Sequence, residues 1–183
     1  MRKLTHEEIV DRQKEHLKQK RLPVTVVLNN IRSLYNVGSI FRTADGAGVE
    51  KIWICGISGH PPDKQISKTA LGAEAQVPWE HEEDVVKIIK KLKKQGYQIV
   101  LLEQIEKSVS YDEFIPKGPV CLVIGNEISG INDEIVALCD SAVEIEMAGI
   151  KNSLNVSVAF GIIAYHMRRY LKPVQPRECN PRG

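Results

Sequence analysis

The run Val120-Cys121-Leu122-Val123-Ile124 is apolar at every position. A strand with one wet face alternates apolar and polar residues, so a strand like this one has to be covered on both faces. Val24–Leu28, Lys51–Cys55 and Tyr97–Leu102 are further apolar runs without alternation, and Ala142–Ile145 is a shorter one. Helical patterns lie between them. Thr5-His6-Glu7-Glu8 fits a capping box opening a polar helix that ends near Lys20. Asn36 is placed to cap a helix over Val37–Ala47, with Gly48 at its end. Lys64–Leu71 and Asn132–Cys139 read as short helices. Val85, Ile88, Ile89 and Leu92 share one face of a helix predicted over Glu82–Gln95, with lysines on the others. Ser153–Tyr170 is apolar on nearly every face, which predicts packing by the core and by a second subunit. Strands and helices alternate, so the chain is expected to be α/β, a mostly parallel sheet with helices on both faces. In such sheets ligands sit beyond the carboxyl ends of the strands.

A length of 183 residues suits one domain with a full core. No apolar run is long enough to span a bilayer. The charged start, Met1–Lys20, does not resemble a signal peptide. Cys55, Cys121, Cys139 and Cys179 lie far apart without a CxxC pair and read as reduced thiols of a cytoplasmic protein. Net charge is +2, unevenly spread: residues 1–21 carry a net +3 and residues 167–183 a net +4, leaving an acidic middle. Basic ends suit a polyanionic partner, and equally a solvated helix and tail.

Several chemistries lose support. There is no GxxxxGK[ST], no GxGxxG after the first strand, and Gly56-Ile57-Ser58-Gly59 has the wrong spacing for a nucleophile elbow. The histidines at 6, 16, 60, 81 and 166 show no metal-ligand spacing, so no metal is expected. Three polar clusters remain, each just past a strand: Asn29–Gly38 with Arg42 beyond it, Gly125–Gly130, and Met147–Asn155. Asn, Ser, Arg and Glu recur in them. That set suits binding, positioning and electrostatics better than nucleophilic catalysis. Each cluster also has a plain structural reading, with Asn36 and Ser153 as caps, Glu127 bonded to loop amides and Arg42 on a helix surface.

In order and spacing the clusters resemble the three signature motifs of the SpoU (TrmH-type) RNA 2′-O-ribose methyltransferases of the SPOUT superfamily. Asn30-Ile31-Arg32, Asn36-Val37-Gly38 and Arg42-Thr43-Ala44 resemble the first motif. Leu122–Glu127 with Gly130 resembles the second, and Ser153–Ala159 the third. Lys68–Ala73 is similar to the segment between the first two. The likeness covers about Pro23 to Arg169, with the catalytic domain set at 23–171 between basic extensions 1–22 and 172–183.

This resemblance implies a C-terminal deep trefoil knot, a homodimer without membrane or metal, and S-adenosylmethionine as methyl donor. It implies that Leu102, Glu103, Gly125, Asn126, Ile145, Met147, Ser153 and Leu154 hold that donor. Gly125 would let the backbone approach it closely. Arg42, Asn36, Glu127, Ser153 and Asn155 would be catalytic, with Arg42 and Asn36 coming from the partner subunit. Arg32, Arg42, Lys18, Arg21, Arg168 and Arg169 would contact RNA. One departure is Glu146, where many relatives carry Pro. The implied reaction is 2′-O-methylation of structured RNA, tRNA first and rRNA second. A non-catalytic RNA-binding member of the fold, and an unrelated α/β enzyme for a small nucleotide, remain as alternatives.

Overall fold

The computed structural model describes residues 1–17, 20–126 and 130–173. Seven strands form one sheet in the order β3-β2-β1-β6-β4-β7-β5. They are β1 Leu22–Asn29, β2 Val49–Cys55, β3 Trp79–Glu82, β4 Gln98–Leu102, β5 Val109–Ser110, β6 Val120–Ile124 and β7 Ser141–Glu144. Every pairing between neighbouring strands is parallel. The helices are α1 His6–Leu17, α2 Leu34–Ala47, α3 Lys64–Ala70, α4 Val85–Lys94, α5 Asp133–Val136 and α6 Val156–Tyr170. Among the described residues, no helix is long and apolar enough to cross a membrane.

The apolar strand runs have the expected cause. Val24, Val26 and Leu28 of β1, with Val120, Leu122 and Ile124 of β6, join one core together with residues of α2, α3 and α6. The intervening Val27, Cys121 and Val123 join a second core with Ile88, Ile89 and Leu92 of α4 and Ile135 of α5. Each face of the sheet thus has its own helical cover. Burying each Val, Leu or Ile side chain contributes about 1.5–3 kcal/mol, so β6 is held from both sides.

Several elements differ from expectation. Helix α2 starts three residues early, because Ser33 rather than Asn36 caps it; the Ser33 hydroxyl accepts from the Asn36 amide at 3.3 Å. Helix α6 starts late, because Asn155 rather than Ser153 caps it, accepting from Ser157 N at 2.9 Å. Trp79–Glu82, part of it assigned to the next helix, is the edge strand β3, and Asp84 caps α4. This four-residue strand carries one apolar residue, Trp79, too few to leave a periodic signal. The two-residue β5 is too short to leave a periodic signal. By contrast, the capping box is present as read: Thr5 N donates to Glu8 Oε2 at 2.8 Å and Glu8 N to Thr5 Oγ1 at 3.3 Å.

Helices α2 and α3 cross closely at Gly38. A Cβ there would lie 2.1 Å from Thr69 Oγ1 and 2.3 Å from the Ile66 carbonyl oxygen. Helix α6 packs beside α2 and buries Phe160, Ile163, Ala164 and Met167. Its other side, with Val158 and Tyr165 about half exposed, is open in the single chain.

Candidate functional site

The carboxyl ends of β1, β6 and β4 meet in one place, because β1 and β4 flank β6 in register. The three polar clusters converge there. After β1 the chain turns sharply at Asn30, in the left-handed region at φ 60°. Asparagine tolerates that region because its short side chain bonds locally. Asn30 Oδ1 accepts from Ile57 N at 3.0 Å, and its carbonyl accepts from Asn126 Nδ2 at 2.9 Å. Ser58 locks the same turn from a buried position. Its hydroxyl accepts from Ile31 N at 2.8 Å and lies 2.8 Å from the Cys55 carbonyl oxygen, to which it donates.

After β6 the chain doubles back, with Gly130 N donating to the Asn126 carbonyl at 3.0 Å. Gly125 is required by this fold-back. A Cβ on it would lie 2.3 Å from Ile131 Cγ1 and 3.0 Å from the Gly130 carbonyl oxygen. The bare Cα of Gly125 thus makes room for the loop itself, and Gly125 also lines the cavity described next.

That cavity has a volume of about 790 Å³. Leu102 and Glu103 face it from the end of β4, and Gly125 and Asn126 from the end of β6. Ile145, Ser153, Leu154 and Asn155 face it from the connection between β7 and α6. Gln104 closes one side, donating from Nε2 to the Asn152 carbonyl at 2.7 Å. Asn155 has two tasks. Its oxygen caps α6, while its Nδ2 donates to Asn36 Oδ1 at 3.1 Å. The first and third clusters thus touch within one chain, and Asn36 reaches Asn155 without help from a second subunit.

Other expected site residues lie elsewhere. Met147 is half-buried and outside the cavity lining. Arg42 is exposed on α2, outside the lining, and has no ion-pair partner among the described residues. Arg32 and Arg169 are exposed. Arg21 is committed to the protein, donating to Gln76 O at 2.9 Å and Val49 O at 3.2 Å and pairing with Asp45 at 3.4 Å. Arg168 donates to Ala47 O at 2.7 Å, at the negative end of α2. These two arginines hold the fold together at the far end of α2, away from the cavity. Glu127 and Lys18 lie outside the described residues.

The cavity is of ordinary size for a small-molecule site and mixes apolar walls with a few convergent polar groups. Thiol chemistry has no candidate among the described residues: burial pushes the Cys55 thiol up to about 12 and raises that of Cys121 as well. No cluster of three or more His, Cys, Asp or Glu that could hold a metal occurs among the described residues. The arrangement positions groups and donates hydrogen bonds. Ser58 and Gln104 escaped sequence reasoning; only the Gly56–Gly59 turn hinted at the first, and nothing marked the second.

Comparison with known proteins gives a consistent result. The model of the SpoU rRNA Methylase family matches residues 23–165. A tRNA (guanosine(18)-2′-O)-methyltransferase of Aquifex aeolicus is 32% identical over 92% of this chain and 80% of that one. A 23S rRNA (guanosine-2′-O-)-methyltransferase of Vibrio parahaemolyticus is 32% identical over 84% of this chain and 62% of that one. Among solved structures, the A. aeolicus TrmH/SpoU tRNA modifying enzyme matches with a TM-score of 0.78 at 32% identity, over 90% of this chain and 83% of that one. An AdoMet-bound rRNA methyltransferase from Sinorhizobium meliloti matches with a TM-score of 0.76 at 28% identity, over 83% of this chain and 57% of that one.

Proposed function

The chain belongs to the SpoU rRNA methylase family, and from that premise we infer that it is an RNA 2′-O-ribose methyltransferase acting on tRNA, with rRNA as the alternative. The observation that carries the reading is the Asn36–Asn155 contact beside a cavity of the right size, because it joins the first and third motifs at one point. S-adenosylmethionine, when bound, supplies an electrophilic methyl group on a sulfonium. The cavity fits such a ligand: apolar Leu102, Ile124 and Leu154 suit a flat base, while Glu103 and Asn126 suit hydroxyl and amino groups.

The chain's own task is to align the ribose 2′-hydroxyl and stabilise its oxygen as the proton leaves. Asn36 and Asn155 hold each other, and with Ser153 they form the polar rim that orients the reacting groups. For Glu127, the family pattern of the second motif supports a catalytic role. Arg42 serves as a hydrogen-bond donor rather than a base, because a guanidinium carries donors and no acceptor. It donates hydrogen bonds to the developing alkoxide or the adjacent phosphate. Its position outside the cavity of its own chain supports delivery from a partner subunit. The half-exposed apolar side of α6, with Leu154 and Tyr35 nearby in the motifs, supports a homodimer that covers it. A trefoil knot through the two cavity loops accompanies this reading. Residues 1–22 and 172–183 are basic extensions flanking the catalytic domain 23–171, and Arg32 and Arg169 contact RNA phosphates. The same reading places the protein in the cytoplasm.

Transfer of labelled methyl from S-adenosylmethionine to total tRNA and, separately, to rRNA tests it. The expected product, after nuclease digestion, is a 2′-O-methyl nucleoside formed by the wild type and reduced ~100-fold or more by Arg42→Ala. A chain that does not bind S-adenosylmethionine would sink the reading.

A further inference from the structure

The edge strand β3 carries Trp79-Glu80-His81-Glu82. Alternation sends Trp79 and His81 to one face of the sheet and the two glutamates to the other. Glu80 pairs with Lys51 and Glu82 with Lys87, so their charge is compensated by lysine partners. On the opposite face His60 stacks on Trp79, with ring centroids 5.8 Å apart and planes inclined by 26°. His81 adjoins His60 at 4.8 Å. Phe41 supports Trp79 edge-on at 6.5 Å. Both histidines are exposed. Their ring nitrogens are tied to main-chain oxygens, Nδ1 of His60 to Pro61 at 2.8 Å and Nε2 of His81 to Gly56 at 3.3 Å. Those ties hold one nitrogen of each ring in place, and both side chains stay exposed to solvent.

The cluster stands level with the cavity. His81 pairs in register with Ile54, Ile54 with Leu28, and Leu28 with the cavity-lining Ile124. Three interstrand steps separate His81 from Ile124, a distance of ~14 Å. Ile54, Leu28 and Ile124 all face the core under α2, so the cluster and the first motif share one side of the sheet. Exposed cations lie on neighbouring elements: Arg32 before α2, and Lys64 and Lys68 on α3, none with an ion-pair partner among the described residues. The other tryptophan offers a contrast. Trp53 is 5% exposed, with the Lys51 and Lys91 ammonium groups 4.2 and 4.8 Å from its ring centre. Lysine stems seal that ring, whereas a second flat ring covers Trp79.

We propose that His60, Trp79 and His81 form a stacking platform for an unpaired base of the substrate RNA, with Arg32, Lys64 and Lys68 holding the neighbouring phosphates. This rests on the RNA methyltransferase reading above. Unpaired bases are recognised by stacking on aromatic rings, and basic groups track the backbone. A platform at a fixed distance from the cavity measures off which ribose reaches the methyl group. It selects by spacing along the strand.

The test is equilibrium binding of tRNA and of rRNA to the full chain by fluorescence anisotropy, across a salt series, with S-adenosylmethionine binding as a control for folding. His60→Ala with His81→Ala is expected to weaken the preferred RNA about tenfold at an unchanged salt slope. His60→Phe with His81→Phe is expected to restore affinity, because stacking survives. Lys64→Gln with Lys68→Gln is expected to lower the salt slope by roughly 1.5. Wild-type affinity in the double alanine variant, or a loss that phenylalanine does not restore, overturns the platform. A wild type that binds neither RNA overturns the platform and the methyltransferase reading together. Histidine-dependent binding without any methyl transfer overturns the reaction alone and upholds the platform.

Discussion

In the β3-β2-β1 half of the sheet, neighbours in space are neighbours along the chain. In the β6-β4-β7-β5 half they are not: β6 is inserted between β1 and β4, and β7 between β4 and β5. The polar groups of the two halves are used differently. In the first half Asn30, Ser58 and Ser33 are bonded to backbone amides, so its loops are held by the fold itself. In the second half Glu103, Asn126, Ser153 and Asn155 face the cavity. Regular topology supplies a rigid frame, and the connections that must cross over strands supply the walls of a site. Beside the cavity, hydrogen bonds from Asn126 to Asn30 and from Asn155 to Asn36 join the halves.

Breaking that seam should have the largest effect. Asn155→Ala removes both the α6 cap and the bond to Asn36, whereas Asn36→Ala removes the bond and leaves the cap. Both are expected to slow methyl transfer ~100-fold, the scale of a misplaced reacting group. Only Asn155→Ala should also lose about 1 kcal/mol of stability with the cap. Single-turnover rates and thermal melts separate the two effects. A wild-type rate in Asn36→Ala would show that the seam has no part in the reaction.

One glycine in each half sharpens the contrast. In an open helix, Gly→Ala would stabilise by about 1 kcal/mol. At Gly38 the new methyl meets a backbone carbonyl at 2.3 Å, so α2 and α3 have to separate. A net loss of about 1–3 kcal/mol is expected, with Tm falling ~2–4 °C for each kcal/mol. At Gly125 the obstacle is the Ile131 side chain, which lines the cavity. Gly125→Ala is therefore expected to weaken S-adenosylmethionine binding more than it lowers Tm. Equal Tm losses with unchanged ligand affinity would erase the distinction between frame and site.

The frame was more legible in the sequence than the site. Strands covered on both faces leave an unmistakable apolar run, as in Val120–Ile124, and the parallel sheet follows from it. The motif residues stand out because they resemble a family pattern, but the helix caps among them fall on other residues than expected. Asn36 looks like a cap because Asn favours that position; Ser33, three residues earlier, takes the cap and leaves the Asn36 side chain to meet Asn155. Gly125 looks like a ligand contact, yet the collision it avoids is with Ile131, and sequence order gives no sign that this loop doubles back. Arg21 and Arg168 read as RNA contacts from charge alone, and only the fold shows that both serve the far end of α2. Tertiary bonds between distant residues are what a linear reading lacks.

A smaller effect is expected from Ser58→Ala in the frame. The variant leaves the Ile31 amide buried without its acceptor. A loss of ~1–2 kcal/mol follows from that orphaned donor, and urea unfolding measures it. Because Ser58 touches no cavity residue, Km for S-adenosylmethionine should stay at the wild-type value in folded protein.

The smallest effect belongs to α1, which lies outside both halves and whose side chains from His6 to Lys14 are exposed or half-buried. Its start depends on Glu8, whose carboxylate accepts from Arg2 and from the Thr5 amide. The Arg2 bond first, and the Thr5 amide second, lower the Glu8 pKa from 4.5 to about 2. A carboxylate with a depressed folded value stabilises its structure above the unfolded value and loses that contribution as pH falls through the folded one. The capping box should therefore be intact above about pH 4.5 and open as pH falls through about 2. Amide shifts of Thr5 and Glu8, followed by NMR across that window, report the opening. Arg2→Ala should raise its midpoint toward the ordinary carboxylate range, because the largest cause of the depression is gone. The amides of β1 and β6 should not follow the Glu8 titration curve. If they do, α1 is coupled to the sheet and the division between a packed frame and a detached basic extension fails.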